Sequence, residues 1–334
     1  GSEDQKKRYM EPMIEGRFFG TMCLSEPQAG SSLSDIQVRA QRTDGDHFLI
    51  SGTKMWISAG EHELSENIVH LVLAKIPDGP PGVKGISLFV VPRYRVDDDG
   101  SLGERNNVVL GGLNHKMGFR GTTNTVLNFG ESGDCHGWLV GEENKGLAAM
   151  FTMMNDARLG VGIQGLGLGE SAYQAAVEYA RDRQQGRALA GARYPEQAAD
   201  PLLVHPDIRR MLLTMRVFTE GTRALAVWVG RQIDIRDRSE DTEQRKQADD
   251  LVQLLTPLVK SYLSEVGHDT AQMAIQVYGG HGYIHDNGVE QYARDARIAM
   301  IYEGSNGIQA LDLVGRKLTA HMGRYLRRFF HPVQ

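Results

Sequence analysis

Cysteine is nearly missing: Cys23 and Cys135 are the two in 334 residues, too few for a disulfide framework and suited to a reducing, cytoplasmic setting. No stretch approaches the roughly 20 consecutive apolar residues of a membrane span, and the opening ten residues lack the apolar centre of a signal peptide. Basic charge is not in excess. Against 42 Asp and Glu stand 37 Lys and Arg, for a net charge of -5. That balance argues against a nucleic-acid partner, which needs a basic face to displace counterions from phosphates. What is present is ordinary for a soluble globular protein, with 41% hydrophobic and 24% charged residues. The length suits two domains, or three small ones, at roughly 100–200 residues each.

The chain changes character near residue 140. Before it, short apolar or alternating runs (Phe18 to Leu24, His47 to Ile57, Ile68 to Ala74, Ile86 to Val91, Thr125 to Phe129) are separated by turn signals such as Asp44-Gly45-Asp46 and Asp97-Asp98-Asp99-Gly100. This spacing predicts an antiparallel β-barrel or sandwich over 16–140. From Leu147 to Asp182 the sequence is rich in Ala, Leu, Met and Glu, without proline. Apolar residues then recur at three and four (Ile208, Met211, Leu212, Met215, Phe218; Leu251, Leu254, Leu255, Leu258). These patterns predict an all-α bundle over 141–330, giving an α+β multidomain chain. Residues 1–15 read as the tail of a further helical element. The acidic run Ser239 to Glu243 reads as a solvated helix start.

Three tempting motifs lose to simpler readings. Gly160-Val161-Gly162-Ile163-Gln164-Gly165 spells GxGxxG, but the stretch before it is helical rather than a buried strand, so the glycines are expected to serve helix packing. His281 and His285 lie in a glycine-rich loop without the glutamate of a zinc helix, and neither cysteine has a ligand-spaced neighbour, so no metal site is expected. No Gly-x-Ser-x-Gly elbow is present for a serine nucleophile.

Four segments stand out. Leu24 to Ser32 ends a strand in a loop rich in hydroxyls and backbone donors. Met55-Trp56-Ile57-Ser58 places an indole and a hydroxyl two residues apart on one strand face. Gln276-Val277-Tyr278-Gly279-Gly280 ends a helix on a double glycine, and Ile301 to Gly307 puts Glu303 in a turn after a helical stretch. A flat aromatic with hydroxyls suits a planar heterocycle. A carboxylate in an apolar pocket suits a general base. From the local sequence alone, Glu303 is equally well a helix-end carboxylate satisfied by Arg294 or Arg297.

In this order and spacing the four segments, together with Arg294-Asp295 ahead of Tyr302-Glu303-Gly304, resemble the acyl-CoA dehydrogenase family of flavoproteins over nearly the whole chain. Within it, the acidic insertion near Asp97 and His205 to Arg210 resemble the large bacterial branch that includes 3-methylmercaptopropionyl-CoA and aryl-acyl-CoA dehydrogenases. The resemblance implies FAD as cofactor and an acyl-CoA substrate of lipid metabolism, oxidised to the trans-2-enoyl-CoA. It implies an electron-transfer flavoprotein as partner, and a homodimer or homotetramer. Glu303 would be the base. Met22, Leu24 and Ser25 would face the flavin, Trp56 would pack on it and Ser58, where the family usually has Thr, would sit near N5. Arg183, Gln276, Gly279 and Gly280 would hold the diphosphate and adenosine across a subunit interface, and Ser305 and Gly307 would meet FAD near the catalytic turn. Ser31, Asn155, Arg158 and Gly304 would contact the acyl-CoA. The thioester oxygen would be held by the backbone N–H of Glu303 and a ribityl hydroxyl. An acyl-CoA oxidase and a non-catalytic flavin-binding homologue remain as alternatives. The chain departs from the family in three places: Asn155 stands where an acidic residue is usual, Gly186-Arg187 where Phe-Gly is usual, and the family's N-terminal helical domain is absent from this sequence.

Overall fold

A computed structural model describes residues 1–333, in two units: Gly1–Lys116 with Arg120–Met153, and Met117–Phe119 with the chain from Met154 onward. The first unit opens with short helices α1 (Glu3–Gln5) and α2 (Glu11–Ile14), joined by a π-helical turn, Lys6–Met10. Tyr9 of that turn packs with Phe18, Val69, Val90 and Val96.

Ten strands follow: β1 (Phe18–Cys23), β2 (Arg39–Arg42), β3 (Phe48–Ser58), β4 (Asn67–Lys75), β5 (Ile86–Pro92), β6 (Tyr94–Val96), β7 (Leu102–Arg105), β8 (Val108–Leu113), β9 (Asn124–Phe129) and β10 (His136–Leu139). The main sheet runs β1-β4-β5-β10-β3-β9-β8, while β2 pairs with both β3 and β4. The strands β4-β5-β10-β3-β2 therefore return to β4 as a small ring. Its core holds Val38, Ile50, Val72, Phe89, Leu127 and Phe129, with both cysteines buried as free thiols. The five expected strands are all present. The expectation of a purely antiparallel sheet needs correction, because β1 and β2 pair with β4 in parallel. The chain between β1 and β4 is long enough for a crossover, which a tight hairpin cannot provide. Strands β4 and β5 are buried almost throughout, so they read as continuous apolar runs, whereas β9 alternates.

The second unit is helical. It contains most of α3 (Gly146–Asp182), then α4 (Pro206–Arg238), α5 (Thr242–Tyr278), α6 (Val289–Ala296), α7 (Asn306–Asp312) and α8 (Ala320–Phe330). Pro206 sits at the start of α4, and Asp241 caps α5 by accepting from the N–H groups of Glu243 and Gln244. Helix α5 is buried over most of its circumference from Val252 to Val277, and one face stays exposed along Leu258, Tyr262, Glu265, Asp269, Gln272 and Gln276. Of the three glycines of the GxGxxG string, Gly162 and Gly165 face α5, while Gly160 is exposed. A Cβ on Gly165 would lie 2.7 Å from the Leu263 carbonyl oxygen, and one on Gly267 would lie 2.1 Å from that of Gly165. They are a close-packing seam between helices. Among the described residues no helix is long and apolar enough to cross a membrane.

Candidate active site

In the β unit, the first two singled-out segments are neighbours. The Met55 N–H donates to the Ser25 carbonyl at 3.0 Å. A bulge in the β3–β9 pairing between Lys54 and Ile57 carries Trp56. Its φ of +64° puts Trp56 in the left-handed region, which is costly for a bulky side chain and is held here by the strands on either side. The indole is 57% exposed, Ser58 is exposed, and Ile57 between them is buried. Met22, Leu24 and Ser25 are half-buried, while Gly30 and Ser31 lie on the surface.

What fixes this loop was not evident from the sequence. Glu26 and Lys54, both buried, pair at 2.8 Å. Lys54 Nζ also donates to the Leu24 carbonyl at 2.8 Å, and Glu26 accepts from the backbone N–H groups of Gln37 and Val38 and from Gln28 Nε2. Burial works against the Glu26 charge, yet Lys54 and the two backbone donors outweigh it and hold the carboxyl below its ordinary range.

In the helical unit, Glu303 sits in the turn between α6 and α7 with φ +54°, followed by Gly304 at φ +81°. Buried Gln309 clamps this turn, its Nε2 donating to the Glu303 carbonyl at 3.2 Å and the Gly304 carbonyl at 3.0 Å. A Cβ on Gly304 would lie 2.6 Å from that nitrogen and 3.8 Å from Arg158 Nη2. Arg294 and Arg297 do not satisfy Glu303. The first bonds Glu290 and the Met117 carbonyl, the second Met300. Burial raises the Glu303 carboxyl above its ordinary value, opposed by the positive charges of Arg158 and Lys260.

Arg158 is buried on α3, with Asp312 at 3.7 Å and Asn155 Oδ1 at 3.4 Å. Asp312 thus supplies the carboxylate that Asn155 lacks. Tyr302 donates to Gln164 Oε1. Lys260, Asp312, Gln309 and Gln164 were missed from the sequence. The one signal was a lysine inside the apolar run Leu258-Val259-Lys260-Ser261-Tyr262-Leu263 of a helix.

The remaining sequence-derived residues occupy two places. Ser305 and Gly307 flank the start of α7. Gln276, Gly279 and Gly280 form the end of α5, where a Cβ on either glycine would meet nothing within 4 Å. There Tyr278 stacks on Tyr179 at 4.0 Å, and Arg183 lies exposed one turn after Tyr179. His281 bonds the Tyr179 hydroxyl and His285 bonds Glu290. Arg187, at the unusual Gly-Arg, is spent on the linker, where it bonds the Tyr194 and Gln197 carbonyls. An exposed indole beside half-buried apolar groups and hydroxyls fits a flavin ring. An open double glycine, over which a diphosphate can approach the backbone, fits the rest of FAD.

Two family models match: "Acyl-CoA dehydrogenase, middle domain" over residues 21–131 and "Acyl-CoA dehydrogenase, C-terminal domain" over residues 144–318. The chain is 48% identical over 329 residues to the 3-methylmercaptopropionyl-CoA dehydrogenase of Ruegeria pomeroyi, covering 98% of this chain and 55% of that protein. It is 37% identical to a butyryl-CoA dehydrogenase of Syntrophomonas wolfei, covering 98% of this chain and 54% of the relative. The three-dimensional structure of butyryl-CoA dehydrogenase from Megasphaera elsdenii superposes with a TM-score of 0.74 at 26% identity, over 95% of this chain and 73% of that one. The chain spans about half the length of the curated relatives it matches.

Proposed function

The chain belongs to the acyl-CoA dehydrogenase family, whose members are FAD flavoproteins, and from that premise we propose that it carries out the α,β-dehydrogenation of an acyl-CoA thioester to the trans-2-enoyl-CoA. Glu303 is the base, and an electron-transfer flavoprotein takes the electrons onward. The observation that carries this reading is the placement of Glu303: a carboxylate in a left-handed turn, clamped by Gln309 and raised in basicity by burial.

The α-proton of a thioester is a far weaker acid than a carboxylic acid in water, so the site must close that gap from both sides. Partial dehydration makes Glu303 a stronger base. A backbone N–H of the turn, aimed at the thioester oxygen, stabilises the developing enolate by about 3–4 kcal/mol. The proton moves to a Glu303 carboxylate oxygen, and the Gln309 clamp on the Glu303 and Gly304 backbone carbonyls holds the turn that carries it. FAD, when bound, supplies the two-electron acceptor for the hydride that leaves the β-carbon. Trp56, Met22, Leu24, Ser25 and Ser58 are proposed to hold its ring. Arg183, Gln276, Gly279, Gly280, Ser305 and Gly307 are proposed to hold the remainder. Ser31, Asn155, Arg158 and Gly304 are assigned to the acyl-CoA, with Asp312 anchoring Arg158.

Glu303→Gln in the full-length holoenzyme tests the reading. It keeps shape and hydrogen bonding but removes basicity. The expected result is a loss of turnover of about 10³-fold with the flavin visible spectrum intact. Turnover within tenfold of the parent would remove Glu303 from this role. Anaerobic bleaching by a series of acyl-CoAs, followed by air, identifies the acyl group and separates a dehydrogenase from an oxygen-using oxidase.

A further inference from the structure

Lys260 has no exposed surface. Burying an ammonium costs several kcal/mol unless it is well paired, yet its hydrogen bond goes to a neutral acceptor, Asn306 Oδ1 at 2.9 Å. Asn306 is itself tied to α5, donating through Nδ2 to Glu265 Oε1 at 3.0 Å, Ser264 Oγ at 3.1 Å and the Ser261 carbonyl at 3.3 Å. It lies three residues after Glu303, and Gln309 holds the Glu303 and Gly304 carbonyls. The turn bearing the carboxylate is thus fastened at two points, and a buried ammonium sits at one of them.

We propose that Lys260 is a positioning residue for the base: held by Asn306, its ammonium keeps the Glu303 carboxylate ionised in its partly dry surroundings and so sets the pH at which proton abstraction begins. The proposal rests on the reading of Glu303 as the base.

The need is physical. Burial favours the protonated carboxyl, and a protonated base takes no proton. Two cations oppose this, Arg158 from α3 and Lys260 from α5. Arg158 acts on Glu303 the more strongly of the two but is also paired with Asp312, whereas the hydrogen-bond acceptor of Lys260 is neutral and leaves its charge uncompensated. The other charged and titratable groups around the turn are engaged elsewhere. Asp312 pairs with Arg316 at 2.8 Å, Lys317 bonds Gln253 Oε1 at 2.7 Å, Glu265 accepts from Asn306, and the Tyr302 hydroxyl donates to Gln164. Burial pulls the Lys260 ammonium down to about 8, so it keeps its charge through the range in which a carboxylate titrates.

The test uses the full-length holoenzyme as Lys260→Met, Lys260→Arg and Asn306→Asp. One readout is the pH dependence of anaerobic flavin bleaching. The other needs no turnover: the infrared band of the protonated Glu303 carboxyl, assigned by its absence in Glu303→Gln and titrated without substrate. Lys260→Met is expected to move both midpoints up by about 1–2 pH units, with the high-pH rate within threefold of the parent. Lys260→Arg keeps the charge and leaves both midpoints in place. An unmoved midpoint in folded Lys260→Met overturns the proposal. So does an equal displacement in Lys260→Arg, which would mean that packing and not charge is at work. If Lys260→Met fails to fold, Asn306→Asp carries the test. A carboxylate there consumes the lysine's charge and must give the same upward shift, and an unmoved midpoint overturns the proposal. Substantial turnover in Glu303→Gln would instead defeat the reading of the base, and the infrared midpoints alone would then decide the role of Lys260.

Discussion

Two successive residues with positive φ make the turn at Glu303 and Gly304, and at the second of them only glycine is comfortable. A methyl group at Gly304 would meet Gln309 Nε2 at 2.6 Å and break the clamp as well as strain the backbone. Gly304→Ala is therefore expected to lower stability by about 1–2 kcal/mol and to slow anaerobic flavin bleaching more than it weakens acyl-CoA binding. Chemical denaturation and a saturation series check the two parts. A loss confined to binding would mean that the glycine serves the ligand and not the turn. At this scale the sequence was uneven. From the local sequence Glu303 stood even between a base and a helix-end carboxylate, and the family resemblance is what singled it out. Gln309, Asp312 and Lys260 were not, since each acts through a partner that only the folded chain brings near.

Among elements, strands β1 and β3 show how a pair of strands positions a loop. The Glu26–Lys54 pair locks the segment after β1 to β3 from inside. Removing one member of such a pair leaves the other buried without its counter-charge, at a cost of about 3–5 kcal/mol. Lys54→Met is expected to lower the urea midpoint of the β unit accordingly. The sign of the pH dependence follows from Glu26. Its carboxyl is held below the ordinary value, so its stabilisation is present above about pH 4.5 and is lost as pH falls through the folded value. In the variant, the backbone donors of Gln37 and Val38 still oppose burial but Lys54 does not, so the carboxyl rises relative to the parent. The gap between parent and variant should narrow on acidification, and a gap that widens would show that Lys54 contributes by packing alone. Strands were legible where burial made them apolar or alternating, as in β4, β5 and β9. They were missed where they are short, polar or glycine-bearing, as in Arg39–Arg42, Leu102–Arg105 and Val108–Leu113. The parallel pairing of β1 with β4 had no local signature, because it depends on which distant strand the chain returns to.

Across the molecule, the change of period near residue 140 was visible because a sheet and a helical bundle impose different spacings on their apolar residues, and each unit builds its own core. The resemblance to a family added what periodicity cannot, the identity of the chemistry. The GxGxxG string, read from the sequence as helix packing in spite of its spelling, reaches furthest. By leaving out side chains at Gly162, Gly165 and Gly169, α3 lies directly against the backbone of α5, and those two helices carry Arg158 and Lys260. The glycines are a ruler: they fix how near two cations stand to one acid. Gly165→Ala, whose methyl would press on the Leu263 carbonyl at 2.7 Å, should cost about 1–3 kcal/mol of stability and displace the onset of activity toward higher pH, in the direction of Lys260→Met but by less. With Glu303 as the proposed base, its acid tolerance is then set in part by a helix crossing about two turns along α3 from Arg158.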